Sequence, residues 1–259
     1  MYNFDFEKPA SIADAVAALA SDDAQALAGG QTLIPTMKQR LAAPSRLVSL
    51  AGIAEMKNIG SADGLLRIGG SVTHATVANG GYGALSEMAG NIGDPTVRNR
   101  GTIGGSLANN DPSADYPAAV LACNATIHTN ARSIAADDFF DGIFTTTLDD
   151  GEIITSVEFP EPAMSCYKKF EQPASRFALV GVYVAKTAGG VRVAVTGASE
   201  EGVHRWAEAE DALNANFNAD AVAGLEVGAD GLINDLHGTA AYRANLVKVL
   251  TKRAVADCK

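Results

Sequence analysis

Cysteine is scarce in this chain: its 259 residues contain only Cys123, Cys166 and Cys258. The three thiols lie far apart in sequence and form no CxxC pair, which argues against a disulfide framework. They are also too few for this chain alone to hold a four-cysteine iron–sulfur cluster. The composition favours a reducing compartment, and the N-terminus shows no basic and apolar segments of a signal peptide, so we expect a cytoplasmic protein.

Positive charge is also in short supply, since 20 lysines and arginines face 30 aspartates and glutamates and leave a formal net charge of -10. This balance argues against a nucleic-acid partner, because phosphate backbones are bound by clustered basic side chains. An anionic ligand would therefore have to be held locally, by backbone N–H groups. No apolar run is long enough to span a membrane.

The first part of the chain is predicted to be a small α/β unit, called lobe 1 here and assigned to residues 1–56. Ser11 and Asp14 mark the start of an amphipathic helix. A short strand over residues 26–28 runs into Gly29-Gly30, a helix follows over 33–41, and another strand covers 46–50.

Two further units are predicted, lobe 2 over residues 57–162 and a C-terminal domain over 163–259. In lobe 2 we expect strands at 65–72, 125–129 and 153–159, a helix at 80–91, and a loop-rich region from 93 to 117. Pro160 and Pro162 mark the boundary. The C-terminal domain should contain a β-hairpin with strands at 177–186 and 191–197, followed by helices at 206–213, 219–226 and 240–256.

The first glycine-rich loop is a candidate anion site. Gly29 and Gly30 lack a Cβ, so their backbone can turn tightly and let another group approach closely. Consecutive N–H groups in such a turn form a concavity that binds anions, and the following helix start favours negative charge. Gln31 and Thr32 add side-chain donors. The alternative is a tight turn without a ligand, which is the more frequent use of a lone glycine pair.

The second glycine-rich loop, from Gly101 to Pro112, combines three glycines with hydroxyl and amide side chains and almost no positive charge. Asp115 follows it, and a carboxylate can accept hydrogen bonds from ribityl or ribose hydroxyls. An ordinary long loop is the alternative, but long irregular loops in compact domains are more often functional. Arg98 and Arg100 flank this loop, and we expect them to form ion pairs with Asp94 or Glu87 rather than to bind a phosphate.

Several common site types are missing from the sequence. There is no P-loop, no G-x-G-x-x-G that opens a βαβ unit, and no G-x-S-x-G nucleophile motif. The four histidines lack the spacing of a metal site. We therefore predict neither a metal ligand nor a catalytic acid, base or nucleophile in this chain.

The two loops, in their order and spacing, resemble the FAD-binding medium subunits of molybdenum hydroxylases. That family includes the medium subunit of aerobic carbon monoxide dehydrogenase and the flavin domain of xanthine dehydrogenase. The matching stretches are AGGQTLIP at 28–35, DPTVRNRGTIGGSLAN at 94–109 and DPSADYP at 111–117. The similarity is collinear over essentially the whole chain.

The resemblance implies an α+β fold: a two-lobed FAD-binding domain of the vanillyl-alcohol oxidase type, with FAD between the lobes, and a C-terminal domain with a small antiparallel sheet and helices. It implies that the first loop wraps the FAD diphosphate, that the second supplies backbone and hydroxyl donors, and that an acidic residue and a lysine lie near the cofactor. Close approach at Gly104 implies that Gly104→Val should abolish FAD uptake while leaving the fold largely intact. The implied cofactor contacts are Ala28, Gly29, Gly30, Gln31, Thr32, Leu33, Thr102, Ile103, Gly104, Gly105, Ser106, Asn109, Asp115 and Lys169.

The resemblance also implies partners. These are a small subunit with two two-iron two-sulfur clusters and a large subunit with the molybdopterin cofactor, assembled as a dimer of heterotrimers. Substrate would be oxidised at molybdenum on the large subunit, and electrons would pass through the clusters and FAD to quinone, NAD or oxygen. Two alternatives stay open: a stand-alone flavoprotein oxidoreductase, and an assembly protein that keeps the fold without the cofactor.

Overall fold

The computed structural model describes residues 1–259 and arranges them around three β-sheets, each covered by helices. Lobe 1 contains, in chain order, β1 (Asp5–Glu7), α1 (Ile12–Leu19), β2 (Ala24–Leu27), α2 (Leu33–Lys38) and β3 (Arg46–Ser49). Its strands are parallel, in the order β1-β3-β2. Ser11 begins α1 by accepting a 3.1 Å hydrogen bond from the Asp14 N–H, as the sequence predicted.

Lobe 2 is built on a five-stranded antiparallel sheet whose strand order is β4-β5-β8-β6-β7. Its buried apolar residues form the largest hydrophobic core of the protein, and four of the five helices of lobe 2 contribute residues to that core. The elements of lobe 2 are β4 (Ile59–Ala62), β5 (Leu65–Gly69), α3 (His74–Ala78), α4 (Ala84–Gly90), α5 (Pro95–Arg98), α6 (Ile103–Asn109), α7 (Tyr116–Ala122), β6 (Thr126–Thr129), β7 (Ser133–Ala135) and β8 (Ile154–Pro160).

The predicted loop over residues 93–117 is wrong, because this region contains α5, α6 and the start of α7. The side chains of Asp94 and Thr102 cap α5 and α6 by accepting hydrogen bonds from the N–H groups of Val97 and Gly105. Glycine disfavours helix, yet Gly105 lies within α6 because the surrounding packing stabilises the helix. The second glycine segment is therefore the first turn of a helix.

Residues 163–259, the predicted C-terminal domain, contain a four-stranded antiparallel sheet in the order β12-β11-β10-β9, and helices α8 and α9 pack on this sheet. The predicted hairpin is confirmed as β10 and β11, whereas the helix expected at 219–226 is only a short 3₁₀ turn at Ala219–Val222. The elements are β9 (Met164–Glu171), β10 (Ala178–Thr187), β11 (Gly190–Thr196), β12 (His204–Arg205), α8 (Ala207–Ala215) and α9 (Ala240–Asp257).

The C-terminal sheet also packs directly against lobe 2. Tyr167 of β9 and Tyr183 of β10 are buried in the core of lobe 2 rather than in that of their own domain. Near the start of β8, Ile153 is buried in the core of lobe 1. Residues of lobe 2 and of the C-terminal sheet are therefore buried in the core of a neighbouring sheet region, and the three regions pack together.

Candidate functional site

A cleft of about 550 Å³ lies where the two glycine-rich segments meet. Its volume is typical of a site for a small molecule or cofactor. Both segments line the cleft, and part of the turn at residues 172–177 borders it. Of the fourteen sequence-predicted contacts, the lining includes twelve: Ala28, Gly29, Gly30, Gln31, Thr32, Leu33, Thr102, Gly104, Gly105, Ser106, Asn109 and Asp115.

The first glycine segment offers a continuous row of donors. The backbone N–H groups of residues 28–33 form no hydrogen bond within the chain, although most backbone N–H groups of a folded protein are paired. Gly30 has a φ of +72°, a conformation that residues with a side chain rarely adopt. Six consecutive unpaired N–H groups make this turn suited to an anion.

The turn rests on lobe 2. A Cβ added to Gly29 would overlap the carbonyl oxygen of Arg100 and lie 2.7 Å from the Cα of Gly101, so only glycine allows this contact. A Cβ on Gly105 would lie 3.3 Å from the Cβ of Ala28. The two glycine segments, far apart in sequence, thus touch each other at the base of the cleft.

The second glycine segment differs from its prediction. The N–H groups of Ile103 and Gly104 donate to the carbonyl oxygens of Val72 and Gly70, and those of Gly105 and Ser106 donate to Thr102. Of the backbone and hydroxyl donors predicted over residues 102–106, the N–H groups of residues 103–106 are therefore already paired within the chain. This segment can instead contact a ligand through side chains. Ser106 and Asn109 are half-buried and border the cleft.

Gly104 is required by the fold itself. A Cβ at this position would lie 2.7 Å from the carbonyl oxygen of Gly70, which belongs to the connection after β5. The expectation that Gly104→Val leaves the fold intact is therefore wrong, because a valine would collide with backbone atoms before any ligand is present. Ile103 is fully buried and does not line the cleft.

Asp115 and Lys169 form a buried ion pair that links α7 to β9. The Lys169 Nζ lies 2.9 Å from one carboxylate oxygen of Asp115, and both side chains are only 5% exposed. The Tyr167 hydroxyl donates to the same carboxylate at 2.6 Å, and Lys169 also donates to the Asn91 carbonyl oxygen at 3.0 Å. Burial raises the pKa of Asp115, and its bonds to Lys169 and Tyr167 partly offset that effect. Asp115 borders the cleft, whereas Lys169 does not.

The arginine prediction was wrong, because neither Arg98 nor Arg100 forms an ion pair. Arg98 donates instead to the carbonyl oxygens of Ile92 and Gly93 at 3.0 and 2.8 Å. Arg176 is the only lysine or arginine in the cleft lining. It lies in the turn between β9 and β10, and sequence reasoning missed it because neither glycine motif extends that far.

Two further kinds of feature are missing from the structure. No group of three histidine, cysteine, aspartate or glutamate side chains comes together as a potential set of metal ligands. None of the helices combines the length and hydropathy needed to cross a membrane.

Comparison with known proteins shows which family this chain resembles. The family described as "FAD binding domain in molybdopterin dehydrogenase" matches residues 2–162, a span that ends close to the last residue of β8. The nicotine 6-hydroxylase medium subunit of Paenarthrobacter nicotinovorans is 37% identical over 97% of this chain and 96% of that protein. The carbon monoxide dehydrogenase medium chain of Afipia carboxidovorans is 32% identical over 99% and 97%.

Solved structures agree with these relatives. Quinoline 2-oxidoreductase from Pseudomonas putida 86 contains a chain that superposes with a TM-score of 0.87 at 31% identity, covering 98% of this chain and 96% of that one. A carbon monoxide dehydrogenase from Hydrogenophaga pseudoflava gives 0.86 at 32%, with the same coverage. The chain therefore belongs to the family of FAD-binding domains of molybdopterin dehydrogenases, and it is an FAD-binding subunit of an oxidoreductase.

Proposed function

We propose that the cleft binds FAD with its diphosphate on the backbone N–H groups of Ala28, Gly29, Gly30, Gln31, Thr32 and Leu33. The observation that carries this proposal is the row of six unpaired donors in a turn that opens on the cleft. A diphosphate needs several donors at once, and backbone N–H groups provide them without positively charged side chains.

The second segment holds the remainder of the cofactor through side chains. Ser106 and Asn109 border the cleft without a hydrogen-bond partner in the chain, so they are free to bind cofactor hydroxyl or carbonyl groups. Thr102 and Gly105 shape the cleft wall at the start of α6. The role of Ile103 and Gly104 is to seat this helix start on lobe 2.

Asp115 is the proposed acidic contact, because the residue lines the cleft and a carboxylate can accept a bond from a cofactor hydroxyl. Lys169 lies behind Asp115, so we assign it a positioning role: it holds the carboxylate in place and charged. Neither residue is required for proton transfer, and no catalytic acid or base is proposed in this chain.

The flavin, when bound, supplies the redox chemistry, and the protein supplies binding and orientation. The chain itself is proposed to work as the medium subunit of a molybdenum hydroxylase. Electrons would arrive from a small subunit with two two-iron two-sulfur clusters, after substrate oxidation on a large molybdopterin subunit. The proposed assembly is a cytoplasmic dimer of heterotrimers with quinone, NAD or oxygen as the acceptor. What supports this is the full-length similarity to medium subunits and chains.

The finer description of the fold is part of the same proposal. Lobes 1 and 2, residues 1–56 and 57–162, would form a two-lobed FAD-binding domain of the vanillyl-alcohol oxidase type. Residues 163–259 would form the C-terminal domain. The support is that each unit has its own sheet and that the cleft lies where the lobes meet.

A charge placed on the turn tests the proposal. Gln31→Glu adds a carboxylate to an exposed side chain in the cleft lining, and Gln39→Glu makes the same chemical change one helix further on, outside the lining. Repulsion between unit charges at about 4 Å costs about 1 kcal/mol even in water. We therefore expect Gln31→Glu to weaken FAD binding about fivefold or more in a fluorescence titration of the flavin-free protein.

Gln39→Glu should bind FAD like the wild type. Equal affinities of the two variants would contradict the placement of the diphosphate. Wild-type protein that takes up no FAD would favour a cofactor-free assembly role instead. A small substrate that reduces the flavin of the isolated chain would favour a stand-alone flavoprotein.

A further inference from the structure

The wall of the cleft contains a histidine that belongs to neither glycine segment. His74 begins α3, is 5% exposed, and belongs to the cleft lining. None of its ring nitrogens has a hydrogen-bond partner within the chain, and Nδ1 is completely enclosed. A polar group without a partner costs free energy when it is shielded from water, so the less enclosed nitrogen, Nε2, is the one for which a partner from outside the chain is expected.

The less enclosed ring nitrogen is Nε2. It too lacks a partner within the chain but is not fully enclosed, and His74 belongs to the cleft lining. A Cβ added to Gly101 would lie 2.5 Å from Nε2, so glycine at this position leaves the room that the ring occupies. On its other side the ring packs against that of Tyr116, with the centroids 5.3 Å apart, which restricts its orientation.

The electrostatic surroundings keep this ring uncharged. Burial, assisted by the nearby Arg98, lowers the pKa of His74 to about 4. At neutral pH the imidazole therefore carries one N–H and one lone pair, and it can donate a single hydrogen bond. The enclosed Nδ1 and the accessible Nε2 favour the tautomer with the proton on Nε2, where an acceptor can reach it.

We propose that His74 is a cofactor-contacting residue whose Nε2–H donates a hydrogen bond to an oxygen at the diphosphate end of the bound FAD. The inference rests on the proposed function and adds a neutral side-chain donor to the row of backbone donors. Gly101 locates the contact, because this one glycine borders both the His74 ring and the backbone of Gly29.

Two amide substitutions distinguish the contributions of the two ring nitrogens to FAD binding. In His74→Gln the side-chain amide nitrogen reaches the position of Nε2, whereas in His74→Asn it reaches only that of Nδ1. We expect His74→Gln to retain FAD affinity within about threefold and His74→Asn to lose about tenfold, the effect of one hydrogen bond. His237→Asn, at an exposed histidine outside the cleft lining, is the matched control and should bind like the wild type.

ADP, used as a competitor of FAD, tests where the contact lies. ADP carries the diphosphate without the flavin ring, so its affinity should fall in His74→Asn by a similar factor. As a readout independent of affinity, ¹⁵N spectra of ring-labelled histidine should show the Nε2–H signal of His74 shifting when FAD is added to the wild type.

The outcomes distinguish the two proposals. Wild-type protein that binds no FAD would overturn the proposed function itself. Wild-type protein that binds FAD with unchanged His74 ring signals, or His74→Asn and His74→Gln variants of equal affinity, would overturn the role of His74 alone. Circular dichroism and thermal melting of each variant show whether it is folded, and the spectra of the wild type decide the question if a variant is not.

Discussion

The buried imidazole of His74 makes the stability of the cofactor-free protein depend on pH. In the unfolded chain this histidine takes up a proton near its ordinary pKa of 6.5, whereas in the fold its pKa is lowered to about 4. Between these values the unfolded state binds more protons than the folded state, so the free energy of unfolding falls as the pH falls. We predict that His74→Gln removes this contribution.

The magnitude follows from the two pKa values. Each pKa unit corresponds to about 1.36 kcal/mol, so the interval from 6.5 to about 4 gives a contribution of about 3 kcal/mol. It is fully present above pH 6.5, declines through the interval and is lost near pH 4. His74 is 5% exposed, so solvent screening reduces this value little.

The assay is urea denaturation of the flavin-free wild type and variants at pH steps from 7.5 to 4. Carboxylates and the other histidines titrate in every sample, so the difference between wild type and variant isolates His74. The wild type should lose about 3 kcal/mol more than His74→Gln over this range. His74→Asn should give the same pH slope as His74→Gln even if its stability at pH 7.5 differs. Parallel curves for wild type and both variants would refute a buried, neutral His74.

Further predictions concern the two ends of α6 and the ion pair behind the cleft. Lys169→Met leaves the Asp115 carboxylate buried without its cation, so it should lower the free energy of unfolding by about 3–5 kcal/mol, and adding Asp115→Asn should recover part of that loss; urea denaturation would contradict this if the single variant matched the wild type. Ser106→Ala combined with Asn109→Ala should weaken FAD binding about tenfold or more in a fluorescence titration while leaving the melting temperature within about 2 °C, and unchanged affinity would remove both side chains from the site. Gly104→Val should lower the melting temperature of the flavin-free protein, because its side chain meets the backbone of lobe 2; a normal melt would show that this contact can adjust. FAD affinity should not weaken steeply between 50 and 500 mM salt, because backbone donors rather than basic side chains hold the diphosphate, and a steep loss would point to a cationic site.

The first glycine segment was predictable because its signals are local. An apolar strand, two glycines and an amphipathic run specify a strand, a turn and a helix within 15 residues, and the structure has β2, the turn and α2 in this order. What the sequence could not show is that Gly29 is needed for contact with Arg100. That contact joins residues about 70 positions apart, and no local pattern records it.

The second glycine segment was misread because local propensity and tertiary packing disagree there. Gly104 and Gly105 favour a loop by their helix propensity, but the N–H of Gly104 bonds to Gly70 and the caps of α5 and α6 stabilise short helices. Thr102 carried the recoverable signal, since a threonine three residues before a donor that it can cap is a typical helix start. The sequence around His74 contained no such signal. This histidine could be identified as a candidate only from the fold, which brings it beside Gly101.

An acidic protein that holds a dianionic cofactor must arrange its donors by geometry, because its charge opposes binding. The cleft lining contains Asp111, Asp115 and Glu152 but only one cationic side chain, Arg176. Uncharged N–H groups act over short distances and only when they converge, so the affinity depends on the shape of the turn. That shape is set where Gly29 rests on lobe 2. Cofactor binding and the packing of the two lobes are therefore coupled through this contact, and bound FAD should stabilise the packing that creates its site.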